Sequence, residues 1–259
     1  MALSMIRCVL SCVFGFLLLL AGYGFAADQP FSRQLELITS SSIAPYVIAE
    51  ENRGLVVDII REALSERDYE VNFIYTTNRR LFAELRNQRV DGAFNLPPGN
   101  YSEGGYYLSD PVVYYQNVVV TLSDHAEGII KVDDLKDKRL VVFQNAPLYL
   151  PPEYARMAAQ NPHIEEVVNQ QSQVQMLFLE RADAIILDKR IFHYYLNQLQ
   201  STSPIYQAPY TVHPLFNSAP RYAIFKSAKL RDLFNQRLQT LKDNGRYEAI
   251  ADNYLKLAE

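Results

Sequence analysis

The chain has 259 residues, 49% hydrophobic, 21% charged and 12% aromatic, with 10 Gly, 13 Pro, 2 Cys and no Trp. That balance excludes collagen-like, disulfide-framework and disordered classes. Lys and Arg number 25 against 29 Asp and Glu, a formal net charge of -4, so nothing in the overall charge draws the chain to phosphate backbones or anionic membrane, and nucleic acid is not an expected partner.

Arg7 precedes an uncharged, mostly apolar run from Cys8 to Leu20, and small residues stand at Gly24 and Ala26. This reads as a secretory signal peptide, residues 1–26, cleaved after Ala26; the run is shorter than the ~20 residues a bilayer span needs. Removing it leaves 259 − 26 = 233 residues and, with Arg7 gone, 24 basic against 29 acidic side chains, or -5. Cys8 and Cys12 both fall inside the leader, so the exported protein is expected to have no disulfide, no thiolate nucleophile and no cysteine metal site. No Cys follows the leader to carry a lipid anchor, and a free soluble protein in an oxidising compartment is expected, built as one large domain or as two lobes of roughly 100 residues.

Leu35-Glu36-Leu37-Ile38-Thr39 alternates like a strand, and Leu55, Val56, Ile59, Ile60, Ala63 and Leu64 recur at helical spacing. Val71-Asn72-Phe73-Ile74-Tyr75 returns to strand, Leu81, Phe82 and Leu85 mark a helix, and Gly92-Ala93-Phe94-Asn95-Leu96 completes βαβαβ. The order repeats: a strand at Leu140-Val141-Val142-Phe143, a helix near Pro152 to Gln160, a strand at Ile164 to Val168, and a helix carrying Val174, Leu177 and Phe178. Ser172 and Gln175 stand at capping-box spacing at the start of that helix. Ala184-Ile185-Ile186-Leu187 is the next strand, and Ile191, Phe192, Tyr195, Leu196 and Leu199 stripe the helix after it.

The halves share a phrase. Leu85 to Asp91 and Leu177 to Asp183 match at Leu, Arg and Asp, which reads as a helix end, an Arg suited to the C-terminal dipole and an Asp turning into a buried strand. Between the halves, Val112 to Leu122 is strand-like for eleven residues, long enough to cross from one lobe to the other. The C-terminal part predicts a strand at Tyr222 to Phe225, a helix with Leu230, Phe234, Leu238 and Leu241 ending at Asn244-Gly245, and a last helix to about Leu257, returning to the first lobe.

A catalytic reading finds no Gly-x-Ser-x-Gly elbow, P-loop, dinucleotide fingerprint or His-Glu-x-x-His. His125, His163, His193 and His213 are scattered without metal-ligand spacing. A binding reading has more to use, since in open α/β sheets ligands sit beyond the carboxyl ends of the strands. Those ends are Ser40-Ser41-Ser42, Thr77-Asn78-Arg79, Asn95-Leu96-Pro97, Gln144-Asn145 and Asp188, a lining of short polar groups with one cation and one anion for a small polar solute. Singly, the serines and asparagines are explained as well by capping and turn formation.

Taken in order, Ala44-Pro45-Tyr46, Gly54-Leu55-Val56-Val57-Asp58, Arg89-Val90-Asp91-Gly92-Ala93, Leu108-Ser109-Asp110-Pro111, Val132-Asp133-Asp134-Leu135-Lys136, Arg181-Ala182-Asp183-Ala184, Tyr222-Ala223-Ile224-Phe225-Lys226 and Asp243-Asn244-Gly245-Arg246-Tyr247 resemble a periplasmic solute-binding protein of family 3 over nearly all of the mature chain. The resemblance implies a type 2 periplasmic binding protein fold: α/β, two lobes, each a mixed sheet flanked by helices, joined by two crossing strands. In the amino acid receptors of this family an Arg before the Ser-Asp-Pro turn grips the ligand carboxylate, and an Asp ending a second-lobe strand holds the ammonium. Asp188 matches that Asp, but the Arg position falls near Ser102 in Asn100-Tyr101-Ser102-Glu103. The stacking aromatic before the Pro falls at Ile43, another aromatic at Asn78, a ligand-contacting Asp at Val56, and the second-lobe Gly-Thr is replaced by Asn145-Ala146-Pro147. The fold carries over and the amino acid specificity does not.

The expected ligand-binding residues are Ser41, Ser42, Tyr46, Asn78, Arg79, Asn95, Leu96, Ser102, Gln144, Asn145 and Asp188, with no catalytic residue, metal or cofactor. Arg79 or Arg80 offers a replacement cation, and Tyr101, Tyr106, Tyr107, Tyr114 and Tyr115 crowd the approach to the hinge, where they could stack on a planar ligand or simply pack. The expected lobes are residues 28–113 with 218–259, and 114–217. The function implied is a monomeric receptor that captures a small polar organic solute, amino-acid-like or another organic acid, for a membrane ABC permease or a sensor. The alternatives are an enzyme on the same scaffold, like the cyclohexadienyl dehydratases, for which Glu103 is the nearest acid, and an accessory or sensory subunit acting by protein contacts.

Overall fold

Leu35 and Leu37 are buried on one face of β1 (Arg33–Ser40) and Ile38 on the other, so this strand is covered from both sides and must lie inside a sheet. The structure, a computed structural model, describes residues 33–40, 43–64 and 69–255; the expected signal peptide lies outside them. An apolar stripe of Leu55, Val56, Ile59, Ile60, Ala63 and Leu64 drives α1 (Leu55–Leu64) onto the sheet. Next come β2 (Tyr69–Thr76), α2 (Asn78–Arg86), β3 (Gly92–Leu96), β4 (Tyr107–Leu108) and β5 (Val113–Tyr115). The second series is β6 (Asn117–Leu122), β7 (Leu140–Phe143), α3 (Ala146–Tyr149), α4 (Pro152–Ala158), β8 (Ile164–Val167), α5 (Gln170–Phe178), β9 (Ala184–Asp188), α6 (Lys189–Gln200) and β10 (Tyr210–His213). The chain then returns through β11 (Ala219–Phe225), α7 (Ala228–Asp243) and α8 (Arg246–Leu255).

Two mixed sheets result. One has the order β2-β1-β3-β11-β4 with β5 also on β11; the other runs β10-β6-β9-β7-β8. In each, three strands run parallel through helical crossovers, while the strands nearest the crossings run antiparallel. The long strand expected over residues 112–122 is instead two, because Gln116 steps out of the ladder between β5 and β6. Its side chain Nε2 donates to the Phe216 carbonyl at 2.6 Å, which ties the outward crossing to the returning one. Helix α5 begins two residues before the expected Ser172-Gln175 box. Asn169 is its cap, accepting from the Ser172 N–H at 3.1 Å, so Ser172 supplies a backbone donor within the first turn.

The phrase shared by the halves is the same junction built twice. Gln88 (φ 52°) and Glu180 (φ 55°) take left-handed conformations that stop α2 and α5. The Arg after each donates its own N–H back into the helix, Arg89 to Glu84 O and Arg181 to Met176 O. The Asp then docks on a neighbouring strand: Asp91 exchanges N–H and carboxylate bonds with the backbone of Glu36, and Asp183 does so with Arg139, all at 2.8–3.0 Å. Where the sequence pointed to Arg charge, the recurring interaction is an Asp that pairs backbone at a strand entrance. Among the described residues no helix is long and apolar enough to cross a membrane.

The Arg139 guanidinium also binds Asp183 at 2.6 Å and holds its carboxyl below the ordinary value of about 3.9. The folded protein therefore takes up this proton less readily than the unfolded chain. The stabilisation is complete above about pH 4 and is lost as pH falls through the native value. Asp183→Ala should lower the urea midpoint at pH 7, and the gap from the parent should narrow at pH 3; a gap equal at both pH values would show that the carboxylate charge is irrelevant to the junction.

Candidate functional site

Asp188 ends β9 and caps α6, as a short acceptor side chain does at the position before a first helical turn. Its Oδ1 accepts the N–H groups of Arg190 (2.9 Å) and Ile191 (3.1 Å) and the hydroxyl of Tyr46 (2.9 Å); its Oδ2 accepts the Gln116 N–H at 2.7 Å. The residue is 2% exposed. Burial pushes its pKa up, and the donors at Gln116, Ile191 and Tyr46 oppose that rise by stabilising the charge.

Tyr46 reaches this carboxylate from the first sheet's side of the molecule. Its turn depends on Gly54, which has φ +139° and where a Cβ would stand 2.5 Å from the Tyr46 carbonyl oxygen. The Tyr46 ring is fully buried and stacks on Tyr115, with centroids 4.1 Å apart and planes 26° apart. Burial, then the Asp188 charge, holds the Tyr46 hydroxyl well above its ordinary pKa, so it remains a donor. Tyr115 donates to Asn95 Oδ1 at 3.0 Å, Asn95 being in the left-handed region at φ 60°, and the Arg221 guanidinium lies 4.5 Å from the Tyr115 ring centroid.

These groups floor a cavity of about 400 Å³. Ser40, Asn95, Leu96, Arg221 and Phe82 of α2 line it from the first sheet's side, and Asn117, Gln144 and Asp188 from the second's, with Phe143, Tyr149 and Val168 around them. The lining contains no His, Cys, Lys or Glu, and among the described residues no group of three His, Cys, Asp or Glu is placed to hold a metal ion. A surface hollow of about 790 Å³ between α1, α7 and α8 is lined by Arg61 and Arg246, which are already paired with Asp58 and Glu62.

Residues 35–257 match the family model for bacterial extracellular solute-binding proteins, family 3. The chain belongs to that family. No curated protein matches the sequence significantly. Solved structures share the fold. The ancestral amino acid-binding protein AncCDT-1, described as a precursor of cyclohexadienyl dehydratase, is 17% identical with a TM-score of 0.64, over 85% of this chain and 94% of that one. The GluR0 ligand-binding core in complex with L-glutamate is 13% identical, TM-score 0.67, over 87% and 99%. A histidine kinase sensor domain with similarity to periplasmic binding proteins is 15% identical, TM-score 0.65, over 86% and 96%.

In this family member, Asn95, Leu96, Gln144 and Asp188 of the expected set line the cavity together. Tyr46 lies beneath it as the support of Tyr115. Ser41 and Ser42 lie outside the described residues, and Asn78 opens α2. Arg79 and Arg80 are exposed on α2, where Arg80 faces Glu84 at 3.6 Å, and neither lines the cavity. Ser102 is exposed and bonded to Asn100 at 2.6 Å; Asn145 is exposed, its N–H on Glu166. Of Tyr101, Tyr106, Tyr107, Tyr114 and Tyr115, only Tyr115 lines the cavity.

Sequence reasoning missed Arg221, Asn117, Phe82 and Tyr149. Phe82 carried a signal: Leu81 and Leu85 form the buried i, i+4 pair of α2, leaving Phe82 beside that stripe and 43% exposed. Arg221 had none beyond lying at the start of a strand.

Tyr46→Phe keeps the stack and removes one donor from a buried carboxylate. It should cost about 1.5–3 kcal/mol in urea unfolding with an unchanged m-value; unaltered stability would show that the remaining donors satisfy Asp188.

Proposed function

We propose that the protein is a periplasmic receptor that takes a small organic solute between two lobes, residues 28–113 with 218–259 and 114–217, and releases it unchanged. The observation that carries this reading is the cavity itself. Both sheets contribute lining residues, and among the described residues two chain segments, tied together through Gln116 and Phe216, cross between the sheets. Such a pair of crossings is a natural hinge, and closure over a solute expels water from the polar groups that hold it. Family membership supports a binding role. The closed form then docks, as a monomer, on a membrane ABC permease or a sensor.

The dehydratase alternative draws less support. Its acid candidate, Glu103, is exposed in a short turn, accepts from Asn100 Nδ2 at 3.1 Å, and does not line the cavity. The lining's carboxylate, Asp188, is occupied in capping α6.

A thermal-shift screen of the purified mature protein against a broad metabolite panel tests the proposal. A ligand at about 100 times its Kd should raise Tm by about 5–10 °C, and small-angle scattering should show compaction with the same ligand. A panel with no stabilising member and a profile that never compacts would end the receptor reading.

A further inference from the structure

We infer that the cavity is built for an organic monocarboxylate with an aromatic or apolar body and no ammonium group. This names the ligand class of the receptor site proposed above and rests on that reading.

The charges lining the cavity are Asp188 and Arg221. Asp188 accepts three bonds at Oδ1, from Tyr46, Arg190 and Ile191, and one at Oδ2, from Gln116. With four protein donors already on it and only 2% of the residue exposed, it presents almost no surface for a ligand ammonium to pair with, and the ammonium would enter the cavity stripped of water. Arg221 is in the opposite condition. It makes one bond to a carbonyl, that of Pro220 at 3.3 Å, and no ion pair among the described residues, so most of its five donors are unmatched there. Its guanidinium is already held over Tyr115 at 4.5 Å. A planar fork fixed in this way suits both oxygens of one carboxylate.

The rest of the lining sets the body of the ligand. Phe82, Tyr149 and Val168 are 43%, 49% and 78% exposed yet belong to one cavity, an arrangement that marks a surface meant to be covered. Asn117 is 9% exposed, and its side-chain amide has no partner among the described residues, so one neutral polar group of the ligand can be read as well.

Calorimetric titration of the purified protein with three matched probes tests this. These are 3-phenylpropanoate, phenylalanine, which adds an ammonium, and 3-phenylpropanamide, which removes the charge. The acid should bind at least tenfold more tightly than either analogue. Arg221→Gln should weaken the acid at least tenfold and leave the amide unchanged; Arg221→Lys, which keeps the charge but not the fork, should weaken the acid alone should the Gln variant fail to fold. Phe82→Ala, at a half-exposed position, should weaken the acid several-fold with Tm unaltered. Phenylalanine binding as tightly as the acid, or acid binding indifferent to Arg221, overturns the inference. If 3-phenylpropanoate does not bind while another solute of the metabolite panel does, the ligand class alone is wrong; if nothing binds, the receptor reading falls with it.

Discussion

A buried carboxylate is tolerated only where donors replace the water it has lost, and Asp188 recruits its donors from three parts of the chain. Tyr46 comes from the loop after β1, Gln116 from the outward crossing, and Arg190 and Ile191 from the first turn of α6. One side chain thus holds the end of a second-sheet strand against the first sheet's loop and the crossing strand. The floor of the cavity is built outward from it: Tyr46 presents its ring to Tyr115, Tyr115 bonds Asn95, and Arg221 lies over Tyr115. The order runs from a satisfied anion to an unsatisfied cation.

The paired junctions at Asp91 and Asp183 explain why the strand ends meet there. Each Asp locks the start of a strand to its parallel neighbour, β3 beside β1 and β9 beside β7, through bonds at both the N–H and the carboxylate. With the entrances fixed, four or five residues bring the chain to Asn95 and Asp188, which open into the cavity. The two halves use one local solution, and what differs is the chemistry at the far ends. In the first sheet that end is an Asn in a left-handed conformation; in the second it is a helix-capping Asp.

The arrangement separates fold from specificity. The residues that join the crossing strand to the two sheets, Asp188, Tyr46 and Gln116, spend their polar atoms on the protein itself. The residues with polar or apolar groups to spare, Arg221, Asn117, Phe82 and Tyr149, come from β11, β6, α2 and α3, and their side chains take no part in the Asp188 bonds. The fold itself is shared, at 13–17% identity, with the solved structures compared above.

The alternating and helical spacings of Leu35 to Leu96 and of Leu140 to Leu199 were enough to place β1 to β3 with α1 and α2, and β7 to β9 with α4 to α6, because burial against a sheet imposes periods of 2 and 3.6 that any reader of the chain can count; the short α3 and the strands β4 and β10 carried no such period. The strand-end rule likewise brought Asn95, Gln144 and Asp188 to the cavity. Local pattern misplaced the cap of α5, since Asn169 and Ser172 are both good caps and only the path of the chain chooses between them. It also read eleven strand-like residues as one strand, because the step at Gln116 answers to a carbonyl a hundred residues away. The role of Arg221 had no local mark at all. Its place at the cavity was set only when β11 returned to the first sheet and laid it over Tyr115, without an ion pair among the described residues. Periodicity is written between neighbours in sequence, whereas whether a charge is paired or free depends on which distant segments the folded chain brings together.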